Sequence, residues 1–247
     1  MSNIFRLADH DDRQVRPSNP EGGEGGSSAP GSLAIVLQQI NGHAFDPDNP
    51  SFDHLGLPEF ARVLSNQCRF GGHSIDFYSV AQHSVLVAAL APGDDHHQKW
   101  ALLHDADEAC SLPDIPTPVK PLFPELVAYQ KRFGSMIAEK YDLDPQEPLE
   151  VKHADRQALA LERSYCMHQP SGGPIIACDV AAPNGISIDP LSPRESRALM
   201  EDAFARVFDM GKPIDMAWLS EQPGFRVSSD LVNKAIAERG SESRPEP

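Results

Sequence analysis

Three segments between Tyr78 and Arg163 carry ionisable side chains on faces that are otherwise apolar, and that conflict constrains the fold more than any other feature. They read FYSVAQHSVLVAAL, QKWALLHDADEAC and VKHADRQALALERS. Each spaces its apolar residues as a helix packed on a core does. On the first, Val80, His83, Val87 and Leu90 form one inward stripe. On the second, His104 and Asp105 are adjacent, about 100° apart around the axis, so both can border one cavity. Glu108 follows on the face between them, while Leu102, Leu103, Ala106 and Ala109 supply the packing side. On the third, Asp155 lies among Val151, Ala154, Ala158 and Leu159. Burying such groups is costly unless something compensates them.

Taken singly, each residue has an ordinary explanation. A core histidine can bond a backbone carbonyl, and Asp155 could be a surface acid or a partner of Arg156. Taken together, His83, His104, Asp105 and Asp155 make a set of two imidazoles and two carboxylates for one divalent metal. Such mixed nitrogen and oxygen ligands suit Mn, Fe, Co, Ni or Zn better than Mg, and leave positions open for water and a substrate oxygen. His153 and the pair His96-His97 raise a two-metal variant, although the pair falls at an exposed helix start.

The remaining chain reads as mostly helical, which places the protein in the all-α class. The spacing predicts helices over Leu57–Asn66, Ser79–Leu90, Asp95–Cys110, Pro124–Tyr141, Pro148–His168, Pro193–Phe208 and Asp230–Arg239. Pro113, Pro116 and Pro118 forbid a helix directly after the second segment, so a stiff extended loop leaves from its end. Leu33–Leu37, the turn Asn41-Gly42 and the return at Phe45-Asp46-Pro47 outline a small β-hairpin. Residues 1–31, with EGGEGGSSAPG, read as a disordered lead; 32–211 form the domain, and 212–247 a partly disordered extension.

Composition narrows the partners. A formal net charge of -15 argues against a nucleic-acid polymer held on a broad basic face. A small phosphorylated substrate is compatible with it, because a metal and a few cations can hold phosphate locally. Cys68, Cys110, Cys166 and Cys178 form no CxxC and read as reduced thiols of an intracellular protein. No apolar leader or membrane-length run occurs, so the expected compartment is the cytoplasm and no membrane partner is expected.

With these residues in view, the chain resembles the HD-domain metal-dependent phosphohydrolases, which are defined by H…HD…D, and is closest to the bacterial and phage branch acting on deoxyribonucleotides. The matching blocks are Arg69, Ala81-Gln82-His83-Ser84, His104 to Glu108, Asp114 to Lys120, and Asp155. They cover about Arg62 to His168, less than half of the chain; an isolated His-Asp pair would carry no weight, but the ordered set does. Asp114 follows Glu108 by six residues, one more than the usual pattern.

The resemblance implies a helical bundle in which His83, His104, Asp105 and Asp155 hold the metal. It implies that Glu108 orients or deprotonates water or protonates the leaving oxygen, that Asp114 positions water or sugar, and that Arg69 binds phosphate. His73 and Lys120 are further candidates for phosphate contact. The expected activity is hydrolysis of a deoxyribonucleoside 5′-monophosphate to nucleoside and phosphate. The alternative on the same site is release of triphosphate from a deoxyribonucleoside triphosphate such as dATP, which would require more cations, with Lys131 a distant contributor. A non-catalytic nucleotide-binding regulatory module is the alternative of a different class. A homodimer or higher homo-oligomer is expected by resemblance only.

Overall fold

A computed structural model of the chain describes residues 37–47, 49–110, 113–168 and 179–242. The predicted lead over 1–31, the first part of the predicted strand at Leu33–Leu37, Cys178 and most of the loop after His168 lie outside the described residues. Within them the fold is mostly helical, with two small antiparallel two-stranded sheets. The helices are α1 (Leu57–Leu64), α2 (Val80–Leu90), α3 (Asp95–Leu103), α4 (Pro124–Lys140), α5 (Leu149–Tyr165), α6 (Pro193–Phe204), α7 (Met216–Leu219) and α8 (Ser229–Glu242). One sheet pairs β1 (Leu37–Gln38) with β2 (Ala44–Phe45); the other pairs β3 (Ile186–Ile188) with β4 (Phe225–Val227).

The architecture is organised around α2. Ser79 caps it by accepting from the Gln82 N–H at 3.1 Å, and every residue from Val80 to Ala89 is buried. The expected single inward stripe is therefore too narrow a description, because α3, α5, α6 and α1 surround the helix. A helix apolar on most sides sits in the middle of a domain, and its polar residues must find partners there. Gln82 finds three: its Nε2 donates to the carbonyls of Asp189 (3.0 Å) and Gly224 (3.4 Å), and its Oε1 accepts from Leu191 N–H at 2.9 Å. Gln98 on α3 does the same elsewhere, donating to the carbonyls of Ala88 and Pro92 and accepting from Ile214 N–H.

These bonds tie the C-terminal residues to the helical centre. Ile214, Leu219 and Phe225 are buried in the core, so the stretch that carries them is part of its packing rather than an appendage to it. The expected hairpin forms around Asn41-Gly42, with Gly42 at φ +87°, although its strands are only two residues each. Phe45 from β2 meets Phe133 of α4 with ring centroids 5.7 Å apart.

The predicted helix over Asp95–Cys110 is broken. The α-helical turns stop at Leu103; His104 and Asp105 form the corner, and a short 3-10 turn, Ala106–Ala109, follows. Asp105 has φ -105° and ψ 14°, a bridge-region conformation rather than a helical one.

Candidate metal centre

That corner brings the metal-ligand candidates together. His104 Nδ1–H donates to the Ala101 carbonyl at 2.8 Å, one turn back, which leaves Nε2 pointing outward from the helix end. His83, from the middle of α2, donates Nδ1–H to Glu162 Oε1 at 2.6 Å and likewise presents Nε2. The two Nε2 atoms are 3.1 Å apart. Asp155, on α5, places Oδ1 3.2 Å from His83 Nε2. Asp105 places Oδ2 3.2 Å from His104 Nε2 and 3.6 Å from His83 Nε2.

One ligand atom each from His83, His104 and Asp155 falls within 4.8 Å of the others, a grouping that could hold a metal ion. Asp105 is not one of these three but stands beside them, against both Nε2 atoms. The donor chemistry fits: both imidazoles have spent Nδ1–H on protein acceptors, and two Nε2 lone pairs converge with two carboxylates. Ligands roughly 2.1 Å from one ion at right angles stand about 3 Å apart, close to the separations seen here.

The electrostatics point the same way. Burial lowers the basicity of His104, but Asp105, Asp155 and Glu147 outweigh it and push its pKa up to about 10. Burial opposes ionisation of Asp105 too, yet His104, His83 and Arg69 hold its carboxyl well below the usual range. Asp155 is held low against burial by His83 and His104. A field that binds a proton this firmly also favours a cation.

Glu108 lies next to the cluster, donated to at its backbone carbonyl by Gln67 Nε2 at 2.7 Å. Its side chain is buried, and Oε2 has no hydrogen-bond partner among the described residues. Burial and the nearby charges of Asp105, Asp114 and Asp107 push its carboxyl well above the usual carboxylate range. Two clefts meet here, one of about 770 Å³ and one of about 370 Å³. Both are bordered by Asp105, Glu108, Lys120 and Asp155.

The other candidates separate. Asp114 borders the smaller cleft and accepts from Phe70 N–H at 3.0 Å. That bond holds a turn in which Phe70 has φ +59°, a conformation uncommon for a bulky residue. His73 is exposed and lines neither of these two clefts. His153 is exposed as well. His96 and His97 pair with Asp144, Asp94 and Glu150 on the surface and do not extend the metal cluster.

Arg69 lines the smaller cleft and is tied to carboxylates as well. It is buried, and its guanidinium is engaged by Glu162 through Nε and a terminal nitrogen (3.2 and 3.1 Å) and by Asp105 at 3.6 Å. Glu162 escaped the sequence reading entirely. Its signal was available: it lies seven residues after Asp155 on α5, two turns along the same face.

No protein-family model matches the chain. The chain is 34% identical over 177 residues to a protein of Escherichia coli (strain K12) described as uncharacterized protein YfdR, covering 71% of this chain and 97% of that one. It thus belongs to a class of mostly helical proteins with a candidate histidine–aspartate metal centre. More particularly, it belongs to the family of E. coli YfdR. Among the described residues, no helix is long and apolar enough to cross a membrane.

Proposed function

We propose that the chain is a metal-dependent phosphohydrolase of the HD-domain type, cleaving a deoxyribonucleoside 5′-monophosphate to nucleoside and phosphate. The observation that carries this reading is the convergence of His83, His104 and Asp155, with Asp105 alongside, next to a buried Glu108 at the junction of two clefts. The expected ion is Mn, Co, Fe, Ni or Zn rather than Mg. When bound, it lowers the pKa of water and neutralises phosphoryl oxygens. The protein's own part is acid–base and positional. Glu108 lines both clefts, where its carboxyl can orient or deprotonate water or protonate the leaving sugar oxygen. Lys120, which borders both clefts, and Arg69, which borders the smaller one while paired with two carboxylates, are the cations proposed for phosphate contact. Asp114 fixes the loop wall.

One observation favours the triphosphate reading. Lys131 and Lys152 join Lys120 in lining the larger cleft, so the cations near the site exceed what the motif blocks supply.

Incubation with a panel of deoxyribonucleoside mono- and triphosphates, under Mn²⁺, Co²⁺, Zn²⁺, Mg²⁺ or EDTA, separates the readings. Inorganic phosphate from monophosphates, abolished by EDTA, is the expected result. Intact triphosphate released from a triphosphate moves the assignment to the second reading. No turnover of either class under any metal overturns both and leaves a nucleotide-binding module as the reading to pursue.

A further inference from the structure

We infer that Glu162 and Arg69 are positioning residues for the metal centre: Glu162 locks the imidazole of His83, and Arg69 locks both Glu162 and Asp105. The inference rests on the metal centre proposed above. Glu162 is fully buried in the last turns of α5, where an unpaired carboxylate would be strongly disfavoured. Both of its oxygens are used, and used differently. Oε1 accepts from His83 Nδ1–H at 2.6 Å, while Oε2 accepts from Arg69 at 3.2 and 3.1 Å.

The consequence for His83 is a fixed tautomer and a fixed ring plane. With Nδ1–H held by a carboxylate, only Nε2 is left for the cluster, and the partner's negative charge raises its basicity as a ligand. Arg69 carries the arrangement to a second ligand, because the same guanidinium reaches Asp105 Oδ2 at 3.6 Å. One buried cation thus spans the carboxylate behind His83 and a carboxylate in the cluster itself. Arg69 also lines the smaller cleft beside the cluster.

Glu162→Gln tests it sharply. A carboxamide can accept from His83 only by turning its NH₂ toward Arg69, donor against donor, so it cannot satisfy both neighbours. The readout is Co²⁺ affinity of the full, metal-stripped chain by titration calorimetry, with thermal unfolding in EDTA alongside. Glu162→Gln is expected to weaken Co²⁺ binding about 10- to 100-fold, as loss of a ligand-orienting partner does. The double variant Arg69→Met/Glu162→Gln relieves the opposed donors but also frees Asp105, so its unfolding midpoint should recover while Co²⁺ affinity stays about 10-fold below wild type; a merely structural role would restore both. Should Glu162→Gln alone fail to fold, the double variant decides: affinity about 10-fold below wild type supports the inference, and wild-type affinity overturns it. Wild-type affinity in a folded Glu162→Gln chain overturns it while leaving the metal centre intact. A wild-type chain that takes up no Co²⁺ overturns the metal centre and this inference with it.

Discussion

His83 Nε2 and His104 Nε2 lie 3.1 Å apart although they come from the middle of α2 and the end of α3. Each ring is held from behind, by Glu162 and by the Ala101 carbonyl, so neither can turn away to relieve the approach. Two variants should separate binding from folding. Asp155, with its side chain 39% exposed, can become Asn with little effect on stability, while Co²⁺ uptake and hydrolysis fall by 100-fold or more. His83→Ala should lose metal as completely and also lower the unfolding midpoint, because it opens a buried cavity and strips Glu162 of a partner. Equal unfolding midpoints for the two variants would contradict this.

Metal uptake should be linked to proton release. His104 is raised to about 10 by its carboxylate neighbours, so at neutral pH the metal-free protein holds a proton there that must leave before Nε2 can ligate. The apparent Co²⁺ affinity should rise about tenfold per pH unit below that value and level off above it. Calorimetry in buffers of different ionisation enthalpy counts the protons released. An affinity flat between pH 6 and 8 would contradict the assignment.

Glu108→Gln should leave the fold and Co²⁺ binding near wild type. Burial and the neighbouring acids push its carboxyl up toward the neutral form, and the amide has the same shape. Turnover should nevertheless fall about 10²- to 10⁴-fold, the usual contribution of a positioned acid or base. Retained activity would remove Glu108 from the chemistry.

Much of this site was legible from residue type and spacing. His83, His104, Asp105 and Asp155 stood out because ionisable groups on apolar helical faces require compensation. The break at His104 was not legible, because no proline or glycine marks it; the bond from His104 Nδ1 to Ala101 ends the helix with a side chain instead. Nor was β3, a three-residue strand whose partner lies far along the chain at Phe225–Val227. Glu162 was hidden for a simpler reason: a glutamate beside Arg163 near a helix end looks like a surface charge until Arg69 and His83 are seen behind it.

The Gln82 strap offers a test of the fold away from the chemistry. Gly224 has φ +82°, and a Cβ there would lie 2.6 Å from Gln82 Nε2 and 2.8 Å from Leu191 Cγ. Gly224→Ala and Gln82→Leu should each destabilise the protein by about 2 kcal/mol or more, through strain and a clash in the first and unpaired buried backbone groups in the second. Denaturant unfolding checks both, and loss of under about 0.5 kcal/mol, typical of a surface change, would mean the strap is dispensable.

Lys131 and Lys152 distinguish the two substrate readings within the larger cleft. For a monophosphate, Lys131→Ala should change KM less than twofold; for a triphosphate it should raise KM several-fold, by removing a contact to the distal phosphates. The comparison needs both substrates on one preparation.

The most direct test of the central claim is to titrate the metal-stripped chain with Co²⁺ while following phosphate release from a deoxyribonucleoside monophosphate. One metal held by four side chains should give activity that rises linearly and saturates at one equivalent per chain, with no rise in Asp155→Ala. Full activity in EDTA, or phosphate release that never appears as Co²⁺ is added, would contradict the account.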